Sequence, residues 1–430
     1  MSRADQLIKS SALSALGLGR FRQADTLPLL KGRKIQDVPT PALILELEDY
    51  EHNLATLNKT LYDNGCDQSV KIRGHFKAHK CPQISYQQVT YGNCVGMCCQ
   101  KVSEAAAIID SNHQIDDIFI SNEIVEQEKI RALVHLSLLH PEGHERKIKI
   151  STCVDNVEMV KLFHQTCDEE ISSQQEVYNQ NGSPLLKLLV EVNVGQNRCG
   201  VTSPSRVIEI INEIKSSKYL QYGGIHAYNG KNQHIREYTD RQAAVEKVVD
   251  QVKNLVSVLK QHNLEPEIVT GGGTGTYLFE ACSSVYNEIQ PGSYLFMDVD
   301  YSKNKNKIGD FFVTGDNKKD VFRHSLFVLS TVVSRPEGLD LVVVDSGLKA
   351  LASDSGPAVP KVDGKKIEYA FYGDEHGGLT GEISDLKVGD KVLLIPGHCD
   401  PTINMHDYFV CVRGGVVEDV WPITARGPGL

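Results

Sequence analysis

No run of eighteen apolar residues occurs in this 430-residue chain, so nothing in it reads as a transmembrane helix. A basic surplus is missing as well. Lys and Arg number 45 against 55 Asp and Glu, a formal net charge of −10, with no basic stripe to match a nucleic acid. The densest basic cluster, Lys303-Asn-Lys-Asn-Lys307, reads as a short solvated loop. Regular cysteine spacing is also lacking: the 11 cysteines are scattered, which excludes a secreted disulfide scaffold and leads us to expect reduced thiols. Cys94, Cys98 and Cys99 fall on a β-like stretch, where buried small residues are expected ahead of zinc ligands. The N-terminal segment to about Leu30 lacks the acid-free composition of a transit peptide. Asp5 and Asp25 stand beside Arg3, Lys9, Arg20 and Arg22, so a frayed or docking helix on a cytoplasmic protein is expected, with organelle import the alternative.

What the chain does have is rhythm. Short apolar stretches at 42–47, 70–76, 93–98, 117–121, 147–153, 185–194, 222–228 and 267–270 alternate with helical patterns such as Asp49–Leu61, with Leu54, Leu57 and Leu61 at helical spacing. Eight strands alternating with helices predict an α/β fold, a (β/α)8 barrel. The polar stretch Glu170–Pro184 reads as a surface insertion. From about Ser302 the texture changes to β-rich runs separated by Gly, Asp, Pro and Asn, predicting a second, mainly antiparallel β domain. We therefore expect a barrel over 38–300, with 1–37 and 301–430 forming the β-rich domain.

Barrels carry their chemistry where the strands end. Lys77, in Arg73-Gly-His-Phe-Lys-Ala-His-Lys80, falls at such an end, as do Asn193–Arg198, His226, Tyr228 and Gly271. A lysine there, with His75 and His79 alternating around it, is an amine able to form a Schiff base, given a lowered pKa that a packed barrel mouth with neighbouring cations can supply. Gly271-Gly-Gly-Thr-Gly275, after the last predicted strand, suits a phosphate through bare backbone amides; the alternative is a tight strand-to-helix turn. An amine plus a phosphate cradle is what pyridoxal phosphate requires. Pro396-Gly-His-Cys-Asp400 adds metal ligands: in an extended loop His398 and Asp400 project to one side, a pair suited to Mn²⁺ or Zn²⁺, with Mg²⁺ also admissible. The alternative is a polar loop turned by Pro401. His234 follows the seventh strand closely enough to reach the barrel mouth.

These segments resemble the fold-type III pyridoxal-phosphate enzymes, the alanine racemase-like group, in the metal-dependent branch of D-threonine aldolase and eukaryotic D-serine dehydratase. The resemblance spans about Pro39 to Asp419. It rests on the Lys77 segment, Val194-Gly-Gln-Asn-Arg-Cys-Gly200, Gly224-Ile-His-Ala-Tyr-Asn-Gly230, the glycine run, Gln290-Pro-Gly-Ser-Tyr294, Asp345-Ser-Gly-Leu-Lys349 and Pro396–Pro401. It implies that Lys77 holds the cofactor, Arg198 lies by its phenolic oxygen, and Tyr228 lines the ring pocket. Gly272, Gly273, Thr274 and Tyr294 would surround the phosphate, His398 and Asp400 would bind the metal, and His234 would be the base. It further implies a small D-amino acid substrate and a homodimer. Asp400 follows the aldolases, where the dehydratases carry Cys at that position. Phe76, Ala78 and Asn229 depart from the common pattern and leave the substrate preference open. The expected activity is retro-aldol cleavage of D-threonine, with D-serine or D-3-hydroxyaspartate dehydration as the alternative.

Overall fold

The computed structural model describes residues 30–111, 113–138, 148–173, 185–307, 322–362 and 364–430. Eight parallel strands close into a barrel: β2 (Lys71–His75), β3 (Cys94–Cys99), β4 (Asp117–Glu123), β5 (Lys149–Val154), β6 (Leu186–Glu191), β7 (Leu220–His226), β8 (Ile268–Gly271) and β9 (Glu288–Ile289). The strands are buried along most of their length, because helices cover them outside and side chains fill them inside; hence the near-continuous apolar runs. The covering helices are amphipathic. Pro204–Ser216 opens on a proline and buries Val207, Ile210, Ile211 and Ile214 on one face. Tyr238–Gln261 buries Val245, Val248, Val252, Leu255 and Leu259 in the same way.

The rest of the chain forms a nine-stranded sheet. Its main path runs β13 (Ile367–Phe371), β14 (Gly377–Gly381), β11 (Val342–Val344), β10 (Leu326–Ser334), β1 (Ala42–Glu46), β16 (Tyr408–Arg413) and β17 (Val416–Pro422). Off this path, β15 (Lys391–Ile395) pairs with β10 and with β12 (Val359–Pro360). All pairings are antiparallel except β1 with β16.

Two strand assignments change. The apolar run at 42–47 is not a barrel strand: Ala42 to Leu45 pair antiparallel with Leu329 to Leu326 in the second sheet. The barrel closes instead through β9, two residues long, which pairs with β8 and β2. The count of eight holds with a different member. The cysteine expectation is corrected too, since Cys66 and Cys282, 216 residues apart, form a disulfide. Cys94, Cys98 and Cys99 are free and buried on β3. Of the expected insertion, the helix Val157–Ser173 covers the first part and 174–184 lie outside the described residues, as do 1–29. No helix among the described residues is long and apolar enough to cross a membrane.

Candidate active site

β2 ends at His75, and the chain then makes a single 3-10 turn, Phe76–Ala78. Phe76 and Ala78 are fully buried and pin the turn, which leaves Lys77 to project into a cavity of about 580 Å³ at the strand ends. That volume suits a small-molecule ligand. Arg198, Tyr228, His234, Gly273 and Thr274 share its walls with Lys77. Arg198 rides on the loop after β6, shaped by the Asn193 side chain, whose Oδ1 accepts from the Gly195 and Asn197 amides at 3.0 and 3.1 Å.

The glycine run forms the opposite wall. Gly272 has φ +73°, and a Cβ there would lie 3.1 Å from the Glu280 carboxyl carbon; at Gly273 it would lie 2.7 Å from Gln233 Oε1. The Gly275 amide donates to that same Gln233 oxygen at 2.9 Å. The amides of Gly273 and Thr274 have no partner among the described residues, so the cradle presents two bare donors. Tyr294 supports the cradle from behind. Its backbone amide donates to Thr274 Oγ1 at 3.0 Å, while its buried phenol accepts from Gln88 at 3.2 Å. The donor set fits pyridoxal phosphate: an amine at one side of the cavity, free amides at the other.

The loop carrying His398 and Asp400 follows β15. Residues Cys399–Ile403 form a short helix with His398 as its extended N-terminal cap, so the extended-loop geometry expected from sequence does not apply. Neither His398 nor Asp400 lines the cavity, but Asp400 Oδ2 accepts a hydrogen bond from Lys77 Nζ, which does. The acid's other oxygen accepts from Ser293 at 3.2 Å. Burial would raise the Asp400 carboxyl, but Lys77 and His398 outweigh it and hold it well below the usual carboxylate range. Burial would likewise lower the Lys77 amine, yet Asp400, with a contribution from Tyr228, raises it above the ordinary lysine value. This corrects the expectation of a lowered amine. The neighbouring histidines are not cations: burial and then Lys77 push His75 well below its usual value, and burial takes His79 down to about 4. His398 donates from Nδ1 to Asp354 Oδ2 at 2.6 Å, which leaves Nε2 to face a ligand. A carboxylate behind a histidine in this way is the usual orientation device for a metal ligand, so the residues fit a divalent ion.

His234 sits at the end of the 3-10 turn Gly230–His234. Its Nδ1 contacts Asp300 Oδ2 at 2.5 Å, its ring packs against Tyr301, and Asp300 is also held by Arg236. Burial opposes ionisation of Asp300, but these two hydrogen bonds bring its carboxyl down to about 2. Sequence reasoning missed Asp300 and Asp354, isolated acids with no motif around them. It also missed a buried group of metal-type ligands deeper in the barrel: Cys153, Glu191 and His226 offer atoms within 4.8 Å of one another. Glu191 and His226 are joined at 3.0 Å and each closes its strand, so strand-end position was the available signal.

Comparison with known proteins matches residues 45–300 to the family described as "Alanine racemase, N-terminal domain" and 325–412 to the "Putative serine dehydratase domain". The chain is 38% identical to the 3-hydroxy-D-aspartate aldolase of Paracoccus denitrificans, over 94% of this chain and 96% of that one. It is 36% identical to a D-threonine aldolase of Arthrobacter sp, over 93% and 96%. The crystal structure of D-threonine aldolase from Filomicrobium marinum superposes with a TM-score of 0.80 at 36% identity, covering 92% of this chain and 98% of that one. At a greater distance, the D-serine dehydratase of Saccharomyces cerevisiae is 22% identical over 93% of this chain and 98% of its own.

Proposed function

Since this chain belongs to the alanine racemase N-terminal-domain family, we propose that it is a lyase acting on D-3-hydroxy amino acids. The reaction is retro-aldol cleavage, taking D-threonine to glycine and acetaldehyde with pyridoxal phosphate and Mn²⁺ or Zn²⁺. When bound, the cofactor supplies a sink for the charge left on Cα, and the metal polarises the β-hydroxyl oxygen. Lys77 would hold the cofactor covalently through its amine. Gly272, Gly273 and Thr274, braced by Tyr294, receive the phosphate; Arg198 serves the phenolic oxygen and Tyr228 lines the ring. His398, whose Nδ1 is engaged by Asp354, and Asp400 would hold the metal. His234, with Nδ1 committed to Asp300, takes the β-hydroxyl proton on Nε2.

The observation that carries this reading is convergence. Lys77, two free amides and His234, held by Asp300, wall one cavity, and the His398–Asp400 loop touches Lys77. Incubating the loaded protein with D-threonine and D-serine, with and without divalent metal, tests it. Glycine plus acetaldehyde, lost on chelation and restored by Mn²⁺ or Zn²⁺, is expected. Pyruvate plus ammonia from D-serine would instead favour the dehydratase reading, which the match over 325–412 supports. The resemblance also supports a homodimer, testable by light scattering.

A further inference from the structure

The charged side chains in the cavity wall are all cationic. Lys77, Arg198 and Lys231 line it beside three histidines, and no Asp or Glu is among its lining residues. The proposed function employs Lys77 and Arg198, which leaves Lys231 unassigned. Lys231 has no ion-pair partner among the described residues.

Its location gives it a use. Lys231 and His234 stand three residues apart on the 3-10 turn Gly230–His234. Three residues make one turn of such a helix, so the two side chains share a face, and both line the cavity. The turn is firmly built: Asn229 Oδ1 accepts the Lys231 amide at 3.1 Å, Gln196 Oε1 accepts the Gly230 amide at 2.8 Å, and Gln233 Nε2 donates to Thr276 at 2.7 Å. Where His234 Nε2 meets the β-hydroxyl, the ammonium beside it meets the other substituent of Cβ. A methyl group gives that ammonium nothing. A carboxylate gives it a charge-assisted hydrogen bond, where the nearby Asp300 and Asp400 are already engaged by His234 and Lys77.

Resting on the proposed function, we propose that Lys231 is the residue that recognises a β-carboxylate, making D-3-hydroxy amino acids with an acidic side chain, such as 3-hydroxy-D-aspartate, the preferred substrates. In that cleavage the Cα–Cβ bond breaks and the β-hydroxyl oxygen becomes the carbonyl oxygen of glyoxylate. Its proton passes to His234 Nε2, and Cα takes up a proton to give glycine. No further reactant is needed.

The test compares kcat/KM for 3-hydroxy-D-aspartate and D-threonine in the holoenzyme, for wild type, Lys231→Met and Lys231→Arg. Wild type is expected to prefer the acid. Lys231→Met should lower the acid-to-threonine ratio roughly tenfold to a hundredfold, mainly through KM, as befits a hydrogen bond to a charged group. Lys231→Arg should recover most of it. In a binding readout, D-aspartate, which has no β-hydroxyl to cleave, should displace D-alanine from wild type but lose that advantage in Lys231→Met. Equal loss on both substrates would assign Lys231 to the shared α-carboxylate and overturn the proposal, and an unchanged ratio would make it a solvated lysine. If wild type cleaves neither substrate, the lyase reading itself falls and takes this assignment with it.

Discussion

In the barrel each strand from β2 to β9 lies beside its sequence neighbour, and only closure joins the two ends. In the second sheet Ala42 pairs with Leu329, and Ile44 with Val410, so the sheet ties the start of the described chain to its end. The two regions also bring opposite chemistry. The barrel mouth offers bare amides, Lys77, Arg198 and Lys231, groups suited to anions, while the second region delivers Asp354, His398 and Asp400, groups suited to a cation. Lys77 and Asp400, 323 residues apart, are where the two halves meet. Cofactor binding should therefore be a property of the barrel, and metal binding a property of the sheet.

Lys77→Ala strikes the barrel half and has the largest expected effect. Turnover should fall at least about a thousandfold, because the covalent anchor is lost. Borohydride reduction of cofactor-loaded wild type should label the peptide containing Lys77, and the variant should yield no such label. Full turnover in the variant, or a label at another lysine, would remove Lys77 from its role.

Asp354→Asn strikes the sheet half. It keeps the size of the side chain and removes the carboxylate that orients His398. Affinity for Mn²⁺ should weaken by about 10–100-fold in calorimetric titration, while labelling at Lys77 persists. Loss of both together would show that the halves do not divide the work as drawn here. Undiminished metal affinity would take His398 out of the metal site.

The same contrast explains what could be read from sequence. Barrel helices declare themselves by spacing, as Val207, Ile210, Ile211 and Ile214 do, and the candidate residues Lys77 and Tyr228 lie just past strand ends that the alternation locates. An isolated apolar run carries no mark of its partner. Ala42–Glu46 therefore passed as a barrel strand, and the two-residue Glu288–Ile289, too short for any period, went unseen. The short helix at Cys399–Ile403 was hidden for a related reason: one turn is below the length at which periodicity shows. Family motifs marked Lys77, His234, His398 and Asp400. They did not mark Asp300 or Asp354, whose roles arise only when folding sets them against His234 and His398.

An effect on stability, with none expected on turnover at neutral pH, sharpens the comparison from behind the cradle, within the barrel alone. Glu280 is 6% exposed; its Oε1 accepts from Thr276 at 2.9 Å, and Oε2 has no hydrogen-bond partner among the described residues. Burial pushes its carboxyl up to about 8, so at neutral pH it is protonated and sets no negative charge behind the phosphate amides. Between its ordinary value and about 8 the folded protein keeps a proton that the unfolded chain has released. Its contribution to stability is therefore full at low pH and is lost as pH rises through this window, with a slope of at most about 1.4 kcal/mol per pH unit. Glu280→Gln removes the titration, so the stability of the variant relative to wild type should climb steadily from about pH 5 to pH 8 in urea unfolding. Parallel stability curves would mean that Glu280 is ionised in the folded protein, and a phosphate could then rest on Gly273 and Thr274 only against a buried anion.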